Sequence, residues 1–267
     1  MALRTAQDMM SELAAFGERF WAGEAEVART FLTAPHEPLD HVQWLRHQCY
    51  RELRGPGLLK RPHSRTDWVI ENVNGGLPVA ESREGRAELE YQLEQIREEF
   101  THFRLYADIL EDITGSPVLM RDLEGLALPS DRRIEEMRER LMADDEHLAR
   151  LAFGVAEGGG AGIFHAAAAL ETDDPLLGRI RDAGRAIYDD EVGHGVHNAA
   201  DVAATVTAEG DFEKLHAMLV EICQGRLRMR AEMFGIVISE ERIAEITDGK
   251  IEPLPPLSKA QPLTHEG

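Results

Sequence analysis

The sequence predicts an all-α protein. Apolar residues recur at three- and four-residue spacing along nearly the whole chain, no alternating polar–apolar run of useful length occurs, and short breakers bearing proline or glycine separate the periodic stretches. With 267 residues, 43% hydrophobic and 29% charged, the chain can bury a sizeable core and has the balance of a soluble globular protein. The expected organisation is one all-α domain over residues 1–250, with helical additions at both ends, and an extended proline-rich tail over 251–267.

The elements follow in order. Residues 4–31 and 39–54 have helical spacing and are divided by "TAPHEP". "GPGLLKRP" ends the second, and the short apolar piece "TDWVIENV" (66–73) runs to Gly75-Gly76-Leu77-Pro78. Ser82 is placed to N-cap a long helix reaching about Thr114, where "TGSP" stops it. Another helix starts after "LPSDRR" and runs to Gly158, with apolar character continuing to about 171. Asp173-Asp174-Pro175 opens a helix to about Val206, since acids and an early proline suit a helix N-terminus. Helices over 211–235 and 239–247 complete the set. "FGIVIS" (234–239) is the one strand-like run, and a helix end explains it equally well.

Charge and cysteine usage narrow the function classes. A net charge of −20 repels nucleic-acid backbones and anionic membranes. The only basic candidate patch, "LLKRPHSR" at 58–65, is short, broken by proline and reads as a solvated loop. Two cysteines, Cys49 and Cys223, form neither a zinc spacing nor a disulfide framework, so a cytoplasmic setting is expected. The N-terminus lacks the apolar core of a signal peptide, and no stretch approaches the length of a membrane span.

Two pentapeptides stand out: "EEFTH" at 98–102 and "DEVGH" at 190–194. Each contains Glu-x-x-His, which on a helix aims a carboxylate and an imidazole at one point. Chance alone gives roughly one such match at this composition, and the chain has three, so context must decide. Glu99/His102 and Glu191/His194 lie mid-helix among apolar residues, where an inward-facing site belongs. Glu213/His216 lies in a first helical turn beside Asp211 and Lys214 and reads as solvated.

Glu157 lies in an apolar, glycine-rich segment with no basic residue between Arg150 and Arg179, so a buried carboxylate there needs a partner such as a cation. Glu71, flanked by Val69, Ile70 and Val73, precedes the first pair as Glu157 precedes the second; Glu52 is its alternative. The order Glu, Glu-x-x-His, Glu, Glu-x-x-His is the ligand set of di-iron carboxylate bundles. The candidate metal ligands are therefore Glu71, Glu99, His102, Glu157, Glu191 and His194. Tyr188 shares the face of Glu191 and is a candidate for a supporting or radical role, although most such tyrosines are simply packed.

The paired motifs resemble those of ferritin-like di-iron oxygenases and desaturases. The resemblance implies a ferritin-like helical bundle with extra N- and C-terminal helices, bridging or chelating roles for Glu99 and Glu191, one imidazole on each iron, and Asp190 bonded to the imidazole of the opposite half-site. Those motifs usually carry Arg before the His; this chain has Thr101 and Gly193. The spacing is also similar to that of haem-oxygenase-like di-iron oxidases, an alternative bundle.

Carboxylate-rich sites with one imidazole per metal suit iron, or a manganese–iron pair, better than structural zinc. The expected function is a non-haem di-iron oxidase or oxygenase, with O2 as co-substrate, acting on a small or medium organic molecule. Expected partners are that substrate, an electron donor and a second copy of the chain. Iron storage or ferroxidase action, and a metal-free helical interaction protein, are the alternatives.

Overall fold

The computed structural model describes residues 5–61, 64–191 and 194–257, with only the backbone described at 159, 194–197 and 201. The described residues are mostly helical and include no strand. The helices are α1 (Ala6–Leu32), α2 (Val42–Arg54), α3 (Arg65–Asn74), α4 (Arg83–Thr114), α5 (Met120–Leu123), α6 (Pro129–Asp144), α7 (Glu146–Glu157), α8 (Gly159–Ala168), α9 (Pro175–Glu191), α10 (His194–Thr205), α11 (Glu209–Met233) and α12 (Glu240–Thr247). No helix among them is long and apolar enough to cross a membrane.

Local chemistry sets the boundaries. Ser82 caps α4 as expected, its Oγ accepting the Gly85 N–H at 2.9 Å. The single helix expected from about 130 to Gly158 is divided, because Asp145 adopts an extended backbone and its carboxylate accepts the Leu148 N–H at 3.1 Å, starting α7 anew. The stretch expected as one helix to Val206 is helical on either side of residues 192 and 193, as α9 up to Glu191 and α10 from His194, and those two residues lie outside the described ones. "FGIVIS" is a helix end: Gly235 takes a left-handed φ of 66°, and the Ile236 N–H bonds back to the Ala231 carbonyl at 2.8 Å.

Two apolar cores lie side by side. One gathers Leu45, Tyr106, Leu110, Phe164, Ile180 and Ile187 from α2, the second half of α4, α8 and α9. The other gathers Leu13, Phe20, Ala149, Val202, Leu215 and Ile246 from α1, α7, α10, α11 and α12. Helix α1 serves both, with Leu13 and Phe20 in one and Ala25, Ala28 and Leu32 in the other. The terminal helices are therefore not additions to a central bundle. Helix α1 packs on α8, α10 and α11, and α2 packs on α4.

Two contacts fix α1 in place. A Cβ at Gly162 would stand 2.1 Å from the Trp21 carbonyl oxygen, so α8 can approach α1 this closely only with glycine there. Glu24, 1% exposed, faces α11, where Arg226 Nε reaches it at 2.8 Å and Arg230 Nε at 2.7 Å. Burial alone would raise the Glu24 carboxyl, but the two guanidiniums outweigh it and bring it down to about 2.

The α3 helix and the first half of α4 contrast with this interior. Helix α3 buries no residue fully, and the buried residues of α4 begin only at His102. Ile70, Val73, Tyr91, Leu93 and Phe100 are exposed along this two-helix arm. Residues 251–257 form no helix and run back over α8, where Pro255 O lies 2.7 Å from His165 Nε2 and Leu254 packs on the first core.

Candidate metal centre

Helix α2 brings the first carboxylate. Its inward stripe is Leu45, Gln48, Cys49, Glu52 and Leu53, at helical spacing, so Glu52 is carried inside with its apolar neighbours. Gln48 Nε2 donates to Glu52 Oε1 at 2.6 Å and fixes that carboxylate. Helix α4 brings Glu99 and His102, one turn apart, where it enters the bundle. Ligand atoms of Glu52, Glu99 and His102 all lie within 4.8 Å of one another. Glu191, at the end of α9, closes the group from the far side.

His102 defines the geometry. Its ring is 2% exposed, and Nε2 lies 3.2 Å from Asp190 Oδ2. Nδ1 faces Glu52 Oε2 and Glu191 Oε1, each at 3.9 Å, and has no hydrogen-bond partner among the described residues. A gap of 3.9 Å is too long for a hydrogen bond. With metal–nitrogen and metal–oxygen bonds each roughly 2.0–2.2 Å, two ligands of one ion stand about 3 to 4 Å apart, depending on the angle. The gaps around Nδ1 fit that range.

The electrostatics also favour a cation. Burial pushes the Glu99 carboxyl well above the usual carboxylate range; Glu52, which shares a hydrogen bond with it, and then Glu191 and Glu157 push it further. Without a cation, the charged form of the Glu99 carboxyl is disfavoured. Among the described residues no lysine or arginine lies within ion-pair distance of Glu52, Glu99 or Glu157.

The other sequence candidates fall as follows. Glu157 ends α7; it is exposed, and it lines the same cavity and raises Glu99. Glu71 is exposed on α3 and is not part of the group; the structure brings Glu52 to Glu99 and His102 instead. The physical reason is that α3 buries no residue fully and meets α4 in its first half, where Arg65 bonds Gln92, whereas α2 is a core helix. Asp190 makes the contact to His102 that the resemblance implies. Tyr188 is half-buried, edge-on to His165 at 5.5 Å, and does not line the cavity. The side chain of His194 lies outside the described residues. Glu213 is exposed and His216 packs on Phe16 at 4.4 Å, so this third pair stands apart.

A cavity of ≈ 230 Å³ opens beside the carboxylates. Its apolar wall includes Phe153, Ala156 and Phe164; the remainder is rich in arginine, which the sequence reading did not place at the site. No protein-family model, no curated protein and no solved structure matches the chain.

Proposed function

We propose that the chain is a non-haem di-iron oxidoreductase of ferritin-like architecture that uses O2 to oxidise a small organic substrate. The observation that supports this best is His102, with one ring nitrogen held by Asp190 and the other unpartnered and aimed at Glu52 and Glu191. That is the arrangement of a metal-ligating imidazole whose outer carboxylate fixes tautomer and direction. Asp190 accepts the Nε2 proton, which leaves Nδ1 with its lone pair directed inward.

Glu52, Glu99 and His102 would hold one ion, and Glu157, Glu191 and His194 the other. Iron here supplies O2 binding and electron transfer, chemistry that none of these side chains offers. The residues themselves position and insulate. Gln48 holds Glu52 still, and Phe153 and Phe164 limit water in the cavity. An external electron donor completes the balance, since O2 takes four electrons to reach water and a two-electron substrate oxidation supplies two. The cavity beside the carboxylates, with its apolar wall, favours substrate turnover over iron storage.

The test is anaerobic Fe(II) loading, iron analysis per chain and O2 uptake. About two iron ions per chain are expected from the ligand set, with O2 consumption by the iron form and none by a zinc form, because zinc has no redox chemistry. Glu52→Ala, Glu99→Ala, Glu157→Ala and Glu191→Ala should each lower occupancy, whereas Glu71→Ala and Glu213→Ala should not. A chain that stays metal-free overturns the reading, as does equal iron loss from Glu213→Ala and Glu191→Ala.

A further inference from the structure

The cavity carries more positive charge than its own carboxylates use. Seven arginines line it. Three are committed: Arg226 and Arg230 to Glu24, and Arg51 to Asp131 at 2.9 Å. Asp131 is also bonded to His47 at 2.6 Å, so it has nothing left for another cation. The other four, Arg54, Arg61, Arg65 and Arg138, have no carboxylate within ion-pair distance among the described residues. Arg54 and Arg61 donate to the carbonyls of Lys60 and Gly55, and Arg65 donates to the Gln92 amide oxygen at 2.9 Å. Neutral acceptors of this kind orient a guanidinium without discharging it.

Arg138 is the most telling of the four. Its guanidinium lies 4.0 Å from the centre of the Phe153 ring, which fixes its plane. Its Nε is buried and has no hydrogen-bond partner among the described residues. An unpaired buried donor of a charged group is costly, so native structures rarely keep one without a use. Glu52, Glu99, Glu157 and Glu191 on the same lining are the proposed metal ligands; Glu135 also lines the cavity, but one carboxylate does not offset four cations. The short basic stretch that reads as a solvated loop in the sequence supplies Arg61 and Arg65 to this wall.

We propose that the cavity binds a small organic anion, a carboxylate in the first instance, seated on Arg138 with Arg61 and Arg65 beside it, its apolar body lying against Phe153 and Phe164. This names the substrate class of the site described above and rests on that reading for the reaction, though not for the binding. A planar guanidinium matches a carboxylate or a phosphate with two parallel hydrogen bonds. The small volume limits the ligand to about one ring or a short chain.

Benzoate, benzyl alcohol, benzylamine and inorganic phosphate serve as probes, titrated calorimetrically into metal-free and Fe(II)-loaded full-length protein, with iron measured on every sample. Benzoate should bind saturably, benzyl alcohol and benzylamine at least tenfold more weakly. Competition by phosphate would assign the seat to oxyanions generally, and its absence to carboxylates. Arg138→Met should weaken benzoate at least tenfold with iron content unchanged. Arg138→Lys should restore part of the affinity, and Arg150→Gln, outside the cavity, none of the loss. Equal binding of benzyl alcohol, no binding of benzoate to either form, or benzoate binding indifferent to Arg138→Met each overturns the proposal. The last outcome would place the carboxylate on the metal alone. Iron uptake without benzoate binding refutes only this inference; benzoate binding without iron uptake refutes only the di-iron reading.

Discussion

Replacing Glu24 by Gln should destabilise the protein more than any other single uncharging outside the metal centre. The carboxyl sits at about 2 in the folded chain against an ordinary value of 4.5. At roughly 1.4 kcal/mol per unit, that difference corresponds to about 3 kcal/mol of stability tied to its charge at neutral pH. Gln keeps the shape but leaves two guanidiniums, 12% and 3% exposed, without a counter-charge. Breaking one side of a buried ion pair typically costs about 3–5 kcal/mol. Both routes agree, and the melting temperature should fall by roughly 10 °C for a chain of this size.

There is a second effect. Arg230 Nη1 lies 3.5 Å from Gln48 Oε1, and Gln48 holds Glu52. Freed from Glu24, Arg230 becomes a competitor for Glu52, so iron occupancy should fall too. Urea unfolding of metal-free protein measures the first effect, and iron analysis measures the second. A loss of less than about 1 kcal/mol would refute the reasoning, because Arg226 and Arg230 would then have other partners. Glu24→Leu combined with Arg230→Met should recover part of the stability, since it removes one of the two stranded charges.

Other outcomes follow from the same contacts. Asp190→Asn should lower metal affinity or activity by roughly ten- to a hundredfold, the usual range for a group that orients a ligand; matched affinity assays on the two proteins would show it. Gly162→Ala should cost about 1–3 kcal/mol in thermal or urea unfolding, because the Trp21 carbonyl must move out of the way. Acid should unfold the protein through Glu24 and Asp131, both held at about 2, below ordinary values of 4.5 and 3.8. Their contribution is complete above those ordinary values and disappears as pH falls through about 2, which acid titration by circular dichroism can follow. Glu99 has the opposite sign. Its folded value is raised, so its contribution in metal-free protein is present at low pH and lost as pH rises, and bound metal should remove that loss; melting curves with and without chelator at several pH values would test it.

The helical class and most element boundaries were legible because helix periodicity and caps are local signals. Ser82, the breaker at 55–62 and the end of α11 all follow from residues within a few positions of the boundary. The break at Asp145 was signalled by an acid whose carboxylate accepts the N–H three residues on, but a continuous periodic pattern concealed it. The paired motifs pointed to Glu99, His102, Asp190 and Glu191 because Glu99 and His102 share α4 while Asp190 and Glu191 share α9. The first carboxylate was harder to assign. Glu71 and Glu52 both sit among apolar residues, and only tertiary packing distinguishes an inner helix from an outer one. Glu52 could have been favoured from its stripe, since Leu45, Cys49 and Leu53 make a continuous buried face that α3 lacks. The arginine wall was not legible, for its members come from three separate segments that meet only in the folded chain.

One helix connects the buried ligands to the outside of the protein. Helix α4 runs 32 residues, with Glu99 and His102 near its middle and nothing fully buried before His102. At 1.5 Å per residue, Glu84 lies about 27 Å along the axis from His102. If the rod pivots where it enters the core, a tilt of about 5° moves that distant end by roughly 2.4 Å but shifts Glu99 by only about 0.4 Å. On that pivot the arm would act as a reducing lever. Large displacements at an exposed tip arrive at the carboxylates as small, graded adjustments, on the scale at which ligand distances are set.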